Sequence, residues 1–189
     1  MLLNRRDGFF DRALEYASIQ DFCAIFHQDM NVLFWLALTL TGDERQAERC
    51  FIAGFEECIA GNAVFKDWAR SWSRRVVIKN AIRLVRPSAT DITPAIHVLA
   101  KPGSHAQAVQ VALSNLPPFD RFVLVMSVLE GYADLDCATL LNCSATDLIK
   151  ARVRAAQQIL RAIDLSPAMQ EDHDSEPHQR VALNDAHAA

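Results

Sequence analysis

Apolar residues recur at spacings of three and four along most of this chain, as in helices that bury one face. Before residue 87 the pattern predicts about four helices, the first near 6–17 and another across "ERQAERCFIAGFEECI". The stretch from Val32 to Leu40 is apolar almost throughout, which predicts a helix enclosed on most sides. Six glycines and few alternating Val, Ile or Thr runs argue against sheets, so we expect an all-α fold.

Turn-forming residues divide the chain into segments. "TGD" at 41–43 and "GNAVF" at 61–65 separate predicted helices, and Pro87 ends the first group because proline cannot continue a helix. After residue 165 the sequence is polar, acidic and free of aromatic residues, which predicts disorder. The predicted organisation is two small helical domains with a linker and a tail: an N-terminal bundle over 1–86, a linker over 87–104, a C-terminal helical bundle over 105–165 and an acidic tail over 166–189.

The second helical domain has the pattern of a helix-turn-helix. Helices are predicted from Phe119 to Leu129, Leu135 to Leu141 and Ala145 to Ile163, with "NCS" as the turn between the last two. Ser144 is the predicted N-cap of the long helix, and Asp147 is its capping-box partner.

A helical wheel of the long helix separates two faces. One stripe is apolar and is predicted to face the core: Ile149, Val153, Ala156, Leu160 and Ile163. Lys150 and Arg154 lie away from this stripe and together could approach a major groove, whereas Arg152 lies on its opposite flank and better reaches phosphate or another helix. By spacing alone, the alternative is a solvated face that carries cations.

The predicted helix from Lys66 to Arg86 has a sharper pattern. Its core side holds Val77, Ile78, Ala81, Leu84 and Val85. Its other side interleaves aromatic residues with cations: Trp68, Trp72, Arg75, Lys79, Arg83 and Arg86. Single-stranded nucleic acid is held by this combination, because cations neutralise phosphates while bases stack on aromatic rings. The alternative is that both tryptophans pack against the N-terminal helix, on Phe9, Phe10 or Leu14.

Charge and cysteine content restrict the remaining function classes. The formal net charge of −4 comes from the tail, which holds five acids and one base, so any nucleic-acid affinity must come from local faces. The five cysteines form no C-x-x-C pair, which fits small buried hydrophobes better than a zinc or disulfide site. Neither a signal peptide nor a full membrane span is apparent, so a cytoplasmic protein without membrane insertion is expected. With no catalytic motif and no metal set, we expect neither an enzyme nor a cofactor.

Residues 113–160, "LSNLPPFDRFVLVMSVLEGYADLDCATLLNCSATDLIKARVRAAQQIL", resemble region four of bacterial RNA polymerase sigma factors of the extracytoplasmic-function type. The resemblance rests on Leu116-Pro117, Arg121, Glu130-Gly131, Ala138, Leu141, Ser144, Leu148 and Arg154-Ala155. Upstream, "DFCAIF", "LALTLTGDERQAERCFIAGF" and "VFKDWARSWSRRVVIKNAI" resemble region two of the same family. The two regions cover roughly 20–86 and 110–162, in the order that the family has them.

The resemblance implies a transcription initiation factor that binds core RNA polymerase and opens promoter DNA, with an anti-sigma protein as a further partner. It implies contacts to the upstream promoter element from Ser144, Thr146, Lys150, Arg152 and Arg154. The single-stranded minus-ten element would be held by Trp68, Trp72, Arg75, Lys79, Asn80 and Arg83. The implied polymerase contact is formed by Glu48, Arg49 and Ile52.

Several family positions hold different residues here. Members usually have an Asp after the Ala-Glu of the second helix and a Gln-Glu pair beyond it, where this chain has Arg49, Ile52 and Ala53. A family Arg in the last helix is Ala151. Two alternatives therefore stay open: a sigma-like protein that has lost polymerase binding and acts as a protein-interaction or regulatory helix-turn-helix module, and a free-standing helix-turn-helix regulator that acts as a dimer.

Overall fold

A computed structural model describes residues 15–61, 63–90 and 105–164, and these residues form an all-α fold. In that part of the chain the β-structure is limited to one isolated bridge, between Tyr16 and Phe65. The helices are α1 (Ile19–Gln28), α2 (Met30–Thr41), α3 (Glu44–Ile59), a 3-10 turn (Lys66–Trp68), α4 (Ala69–Val85), α5 (His105–Ser114), α6 (Pro118–Leu124) with a π-helical turn (Val125–Leu129), α7 (Asp134–Leu141) and α8 (Ala145–Asp164).

Local sequence signals set most of these helix ends. Gly42 ends α2 with a φ of 72°, and the Asp43 carboxylate accepts a 2.9 Å hydrogen bond from the Gln46 amide to begin α3. Ser18 and Asp21 form a capping box at α1, and hydrogen bonds from the backbone and side chain of Ser18 hold the pKa of Asp21 below its usual range. Asn142, with a φ of 49°, ends α7 at the predicted "NCS" turn.

The N-terminal helix prediction is wrong where it can be compared with the structure. Most of the predicted span 6–17, including Phe9, Phe10 and Leu14, lies outside the described residues. Within them, the Ala17 amide donates to the Val64 carbonyl at 2.7 Å and the Lys66 amide donates to the Glu15 carbonyl at 2.8 Å. The segment before α1 is therefore extended beside the chain that enters the 3-10 turn.

Among the first four helices, α2 packs against both α3 and α4, and α3 and α4 also pack against each other. The sequence predicted α2 to be enclosed on most sides, but Val32 and Trp35 are exposed and only its other face is buried. A Cβ added at Gly54 of α3 would lie 3.1 Å from the Val77 Cγ2 of α4, so this small residue permits the close approach of the two helices. Cys50 is buried there, and its burial raises the pKa of the thiol to about 12.

No single helix in the described ranges is long and apolar enough to cross a membrane, although α1 and α2, bent by 75°, together meet the length and composition criteria for a span.

One cluster of buried apolar side chains includes residues from both predicted domains, among them Phe22, Leu40, Phe119 and Phe122. The division into two domains stays a prediction, since much of the predicted linker lies outside the described residues. The first part of the chain, residues 15–90, and the second part, residues 105–164, nevertheless share a core. Helix α6 of the second part lies against α2 of the first.

Arg121 of α6 is buried at this contact, with 5% of its surface exposed. Its guanidinium donates to the carbonyls of Leu40 and Thr41 at 3.2 Å each and to that of Ser114 at 3.1 Å. Burial lowers the pKa of Arg121. The first two carbonyls belong to the last turn of α2, where the helix dipole favours a cation, so Arg121 caps a helix of the other part of the chain.

Helix α8 packs through a face that the sequence did not indicate. The predicted core stripe is wrong: Ile149, Val153 and Leu160 are 54%, 51% and 60% exposed, respectively. The buried face holds Leu148, Ala151 and Ala155, and Ala155 packs with Leu113 of α5 and with Leu116 of the turn that follows it. Alanines on this face allow the helix to approach its neighbours closely, and this outweighs the larger apolar side chains of the other stripe.

A pair of adjacent alanine substitutions distinguishes the two faces of α8. We expect Leu148→Ala to lower the free energy of unfolding by about 2 to 5 kcal/mol, because it leaves a cavity in the core. Ile149→Ala, one residue further on the exposed side, is expected to cost less than about 1 kcal/mol. Urea denaturation of both variants measures the difference, and a larger loss for Ile149→Ala would contradict the burial of Leu148.

Candidate nucleic-acid interface

A surface cleft of about 810 Å³ lies between the start of α4 and the chain that follows the π-helical turn. We call it the α4 cleft. Its wall on the α4 side includes Trp68, Trp72, Arg74 and Arg75. The opposite wall is formed by Glu130, Gly131, Tyr132, Ala133 and Asp136. The cleft thus brings together three of the predicted single-strand residues, Trp68, Trp72 and Arg75. Arg74 also lines it, although the sequence pattern did not single this residue out.

An aromatic ladder extends along one edge of the cleft. The rings of Tyr16 and Phe65 stack with centroids 5.0 Å apart, and Trp68 meets Phe65 edge-on at 5.4 Å. Trp68 is 63% exposed, and its amide donates to the Phe65 carbonyl at 2.9 Å within the 3-10 turn. The predicted helix therefore begins one turn late, at Ala69, and this turn holds the indole at the surface.

Trp72 lies deeper in the same wall and is partly buried. Its indole N–H is buried and has no hydrogen-bond partner among the described residues. The Lys79 ammonium lies 5.9 Å from the centroid of its ring, within range of a cation–π interaction. Of these two tryptophans, Trp68 is therefore exposed and Trp72 is partly buried.

Three predicted site residues of α4 converge on one acid of α3, Glu57. Its carboxylate accepts from Lys79 at 3.3 Å, from the Asn80 amide at 3.1 Å and from Arg83 at 2.6 Å. Burial alone would raise the pKa of Glu57, but hydrogen bonds from Arg83, Asn80 and Lys79 outweigh it and hold this pKa below its usual range. These cations are therefore partly neutralised within the protein.

Arg74 and Arg75 turn towards the second part of the chain. Arg74 donates to both carboxylate oxygens of Glu130, with Nε 2.8 Å from Oε2, and these hydrogen bonds raise the pKa of Arg74. The Arg75 guanidinium lies 5.8 Å from the ring centroid of Tyr132. Burial raises the pKa of the Tyr132 phenol, so the ring stays neutral at physiological pH.

The helix-turn-helix places its cations less favourably than the sequence implies. At the start of α8 the Ser144 hydroxyl accepts from the Asp147 amide at 3.1 Å, which confirms Ser144 as the N-cap, and it donates to the Asp147 carboxylate at 2.6 Å. Arg152 is paired with Asp134. The Arg154 guanidinium donates to both oxygens of the buried Asp120, at 2.9 and 2.6 Å.

The two remaining predicted contact residues of this helix lie at the surface. Thr146 and Lys150 are exposed, and Lys150 forms no ion pair with the described residues. Ala151, which stands where family members have an Arg, is buried. Among the three predicted contact cations of α8, Lys150 is thus the one without an ion pair to the described residues, whereas Arg152 and Arg154 are paired.

The implied polymerase contact lies on the outer face of α3. Glu48, Arg49 and Ile52 are all exposed there, and Ile52 is 47% exposed. Arg49 and Ala53 also line a small cavity of about 250 Å³ with Asn80 and Arg83. This face therefore carries an apolar side chain, Ile52, and a cation, Arg49. It lies beside the α4 residues that pair with Glu57.

Comparisons of the chain with protein-family models, with curated proteins and with solved structures found no match.

Proposed function

We propose that this protein is a transcription initiation factor, resembling an extracytoplasmic-function sigma factor, that holds single-stranded promoter DNA in the α4 cleft. The observation that carries the proposal is the exposed indole of Trp68, at the edge of a cleft whose α4 wall also holds Trp72, Arg74 and Arg75. A single strand is bound without covalent chemistry where its bases stack on aromatic rings and nearby cations neutralise its phosphates.

The aromatic ladder would supply the stacking energy. A base placed on Trp68 gains about 1 to 3 kcal/mol, whatever its identity, and this gain favours strands that have left the duplex. The edge-on contact with Phe65 and the 3-10 turn fix the indole before any ligand arrives, which reduces the ordering cost of binding. Strand separation would then follow from preferential binding of the open state.

The second part of the chain would contribute a weaker contact to duplex DNA. Thr146 and Lys150 are available on α8, while Arg152 and Arg154 are engaged with carboxylates of α7 and α6. A phosphate would have to replace those carboxylates, so we expect the affinity of this helix for an upstream element to be low.

Association with core RNA polymerase tests the proposal at the level of function. We expect the full chain to copurify with core polymerase and to support run-off transcription from fragments of its own genome. Glu48, Arg49 and Ile52 should be needed for the association, because they form an exposed face on α3. Copurification that survives simultaneous Arg49→Glu and Ile52→Glu substitution would contradict that contact, and failure of both assays would contradict the proposal.

A second candidate function, a protein-interaction module, is favoured by the exposed stripe of α8. Ile149, Val153 and Leu160 follow a spacing of four and seven residues on a helix whose Arg152 and Arg154 are already paired. If this stripe pairs with another helix, sedimentation or copurification should change in Val153→Glu while promoter binding does not. Loss of transcription in Lys150→Ala without such a change would favour the first candidate.

A further inference from the structure

The two walls of the α4 cleft carry opposite charges. Arg74 and Arg75 stand on the α4 wall, whereas Glu130 and Asp136 stand on the wall from the second part of the chain. A nucleic-acid strand that stacks on Trp68 would therefore meet acids on the facing side. The cations of the cleft are also occupied, Arg74 by Glu130 and Arg75 by the ring of Tyr132.

We propose that the second part of the chain regulates the α4 cleft as an autoinhibitory wall, in which Glu130 and Tyr132 occupy the cations that would otherwise bind phosphate. This inference rests on the proposed function, because it concerns the same cleft and the same single-stranded ligand. Displacement of the wall exposes Arg74 and Arg75 and removes two facing carboxylates, Glu130 and Asp136.

The Glu130 contact is strong enough to compete with a ligand. Its side chain is 7% exposed, and both its oxygens accept from Arg74, so the pair is bidentate and mostly desolvated. A phosphate that binds Arg74 in this arrangement would leave a buried carboxylate without its partner. The ligand and the wall therefore exclude each other at this guanidinium.

The backbone after α6 directs this wall at α4. The π-helical turn is closed by the Glu130 amide, which donates to the Val125 carbonyl at 2.9 Å, and the Tyr132 amide donates to the Met126 carbonyl at the same distance. Gly131 between them has a φ of 67°, a conformation that favours glycine. Such turns often occur at functional sites, and this one places a carboxylate and a ring on the same cleft.

Arg121 holds the wall in place from the other end of α6. Because its guanidinium caps α2, the second part cannot leave the cleft without breaking the hydrogen bonds to Leu40 and Thr41. A partner that pulled α6 from α2 would open the cleft. Regulation of the cleft is thus coupled to the contact between the two parts of the chain.

The test compares Glu130→Gln with Glu44→Gln in the full chain, using a fluorescently labelled twenty-residue oligothymidylate and anisotropy. Glu44 is an exposed acid in the first turn of α3, with no ion pair among the described residues, so the two substitutions change the net charge equally. We expect Glu130→Gln to bind about three- to tenfold more tightly than wild type. One added phosphate contact should also steepen the salt dependence by about 0.7 in the slope of log K against log salt.

Tyr132→Leu provides a second variant that leaves the charge unchanged, and it should also bind more tightly because Arg75 is released. Thermal melting confirms that each variant is folded. Binding by wild type with no gain in either cleft variant, or an equal gain in Glu44→Gln, would overturn the regulatory proposal alone. Absence of binding by wild type and every folded variant would overturn the proposed function as well.

Discussion

Replacement of Arg121 by Met is expected to lower the free energy of unfolding by about 3 to 5 kcal/mol. The guanidinium donates to three carbonyls, two of them from the last turn of α2, and Met can donate to none. Carbonyls that stay buried without a donor keep the cost of their desolvation. Met fills a similar volume, so the loss reflects the hydrogen bonds more than the packing.

Urea denaturation measures this loss, and Arg70→Met is the matched control. Arg70 pairs with Asp29, but 52% of its side chain is exposed, so solvent screens the pair and its removal should cost about 1 kcal/mol or less. Equal losses in the two variants would show that Arg121 does not cap α2. A broader transition in Arg121→Met, with a smaller m value, would indicate that the two parts of the chain have begun to unfold separately.

Replacement of Trp68 by Ala is expected to weaken binding of single-stranded DNA by about 5- to 150-fold, which corresponds to one stacked base. Because the indole is exposed and lies before α4, its removal should leave the melting temperature nearly unchanged. Anisotropy with the labelled oligothymidylate measures the affinity.

Trp35→Ala is the control for this prediction. Trp35 is also an exposed tryptophan, but it lies on α2 and does not line the α4 cleft. Its removal should leave the affinity within about twofold of wild type, since it offers no stacking surface beside the cations. Similar losses in both variants would mean that single strands bind to exposed indoles without a defined site.

The helices of this fold follow from signals that lie close together in the sequence. The bounds of α3 agree with the predicted segment because Gly42 and Asp43 supply its preceding turn and its cap. The helix-turn-helix was predictable for the same reason, from the "NCS" turn and the Ser144 cap. Such signals act over three or four residues, and so they can be read from the sequence alone.

The packing of α8 was not predictable in this way. The helix carries two apolar faces, one of large residues around Val153 and one that includes Leu148, Ala151 and Ala155. A helical wheel favours the larger side chains, whereas the neighbouring helices accept the face on which small residues permit close contact. Which face is buried depends on α5 and α6, whose positions the sequence of α8 does not contain.

The pairing of the candidate site residues also depends on distant positions. Glu57 gathers Lys79, Asn80 and Arg83, and Glu130 binds Arg74 across more than fifty residues of chain. The aromatic and basic stripe of α4 was visible in the sequence, but the acids that oppose it were not. Only the fold brings them together, and they change the stripe from an open cationic face into a regulated cleft.

Tryptophan emission in a Trp35→Phe protein tests the central proposal most directly, because the remaining indoles, Trp68 and Trp72, both line the α4 cleft. Titration with unlabelled single-stranded oligothymidylate should quench this emission to saturation, and duplex of the same length should quench it less, since a paired base cannot stack on Trp68. Emission that does not change with single-stranded DNA, in protein shown to be folded, would contradict the assignment of the cleft.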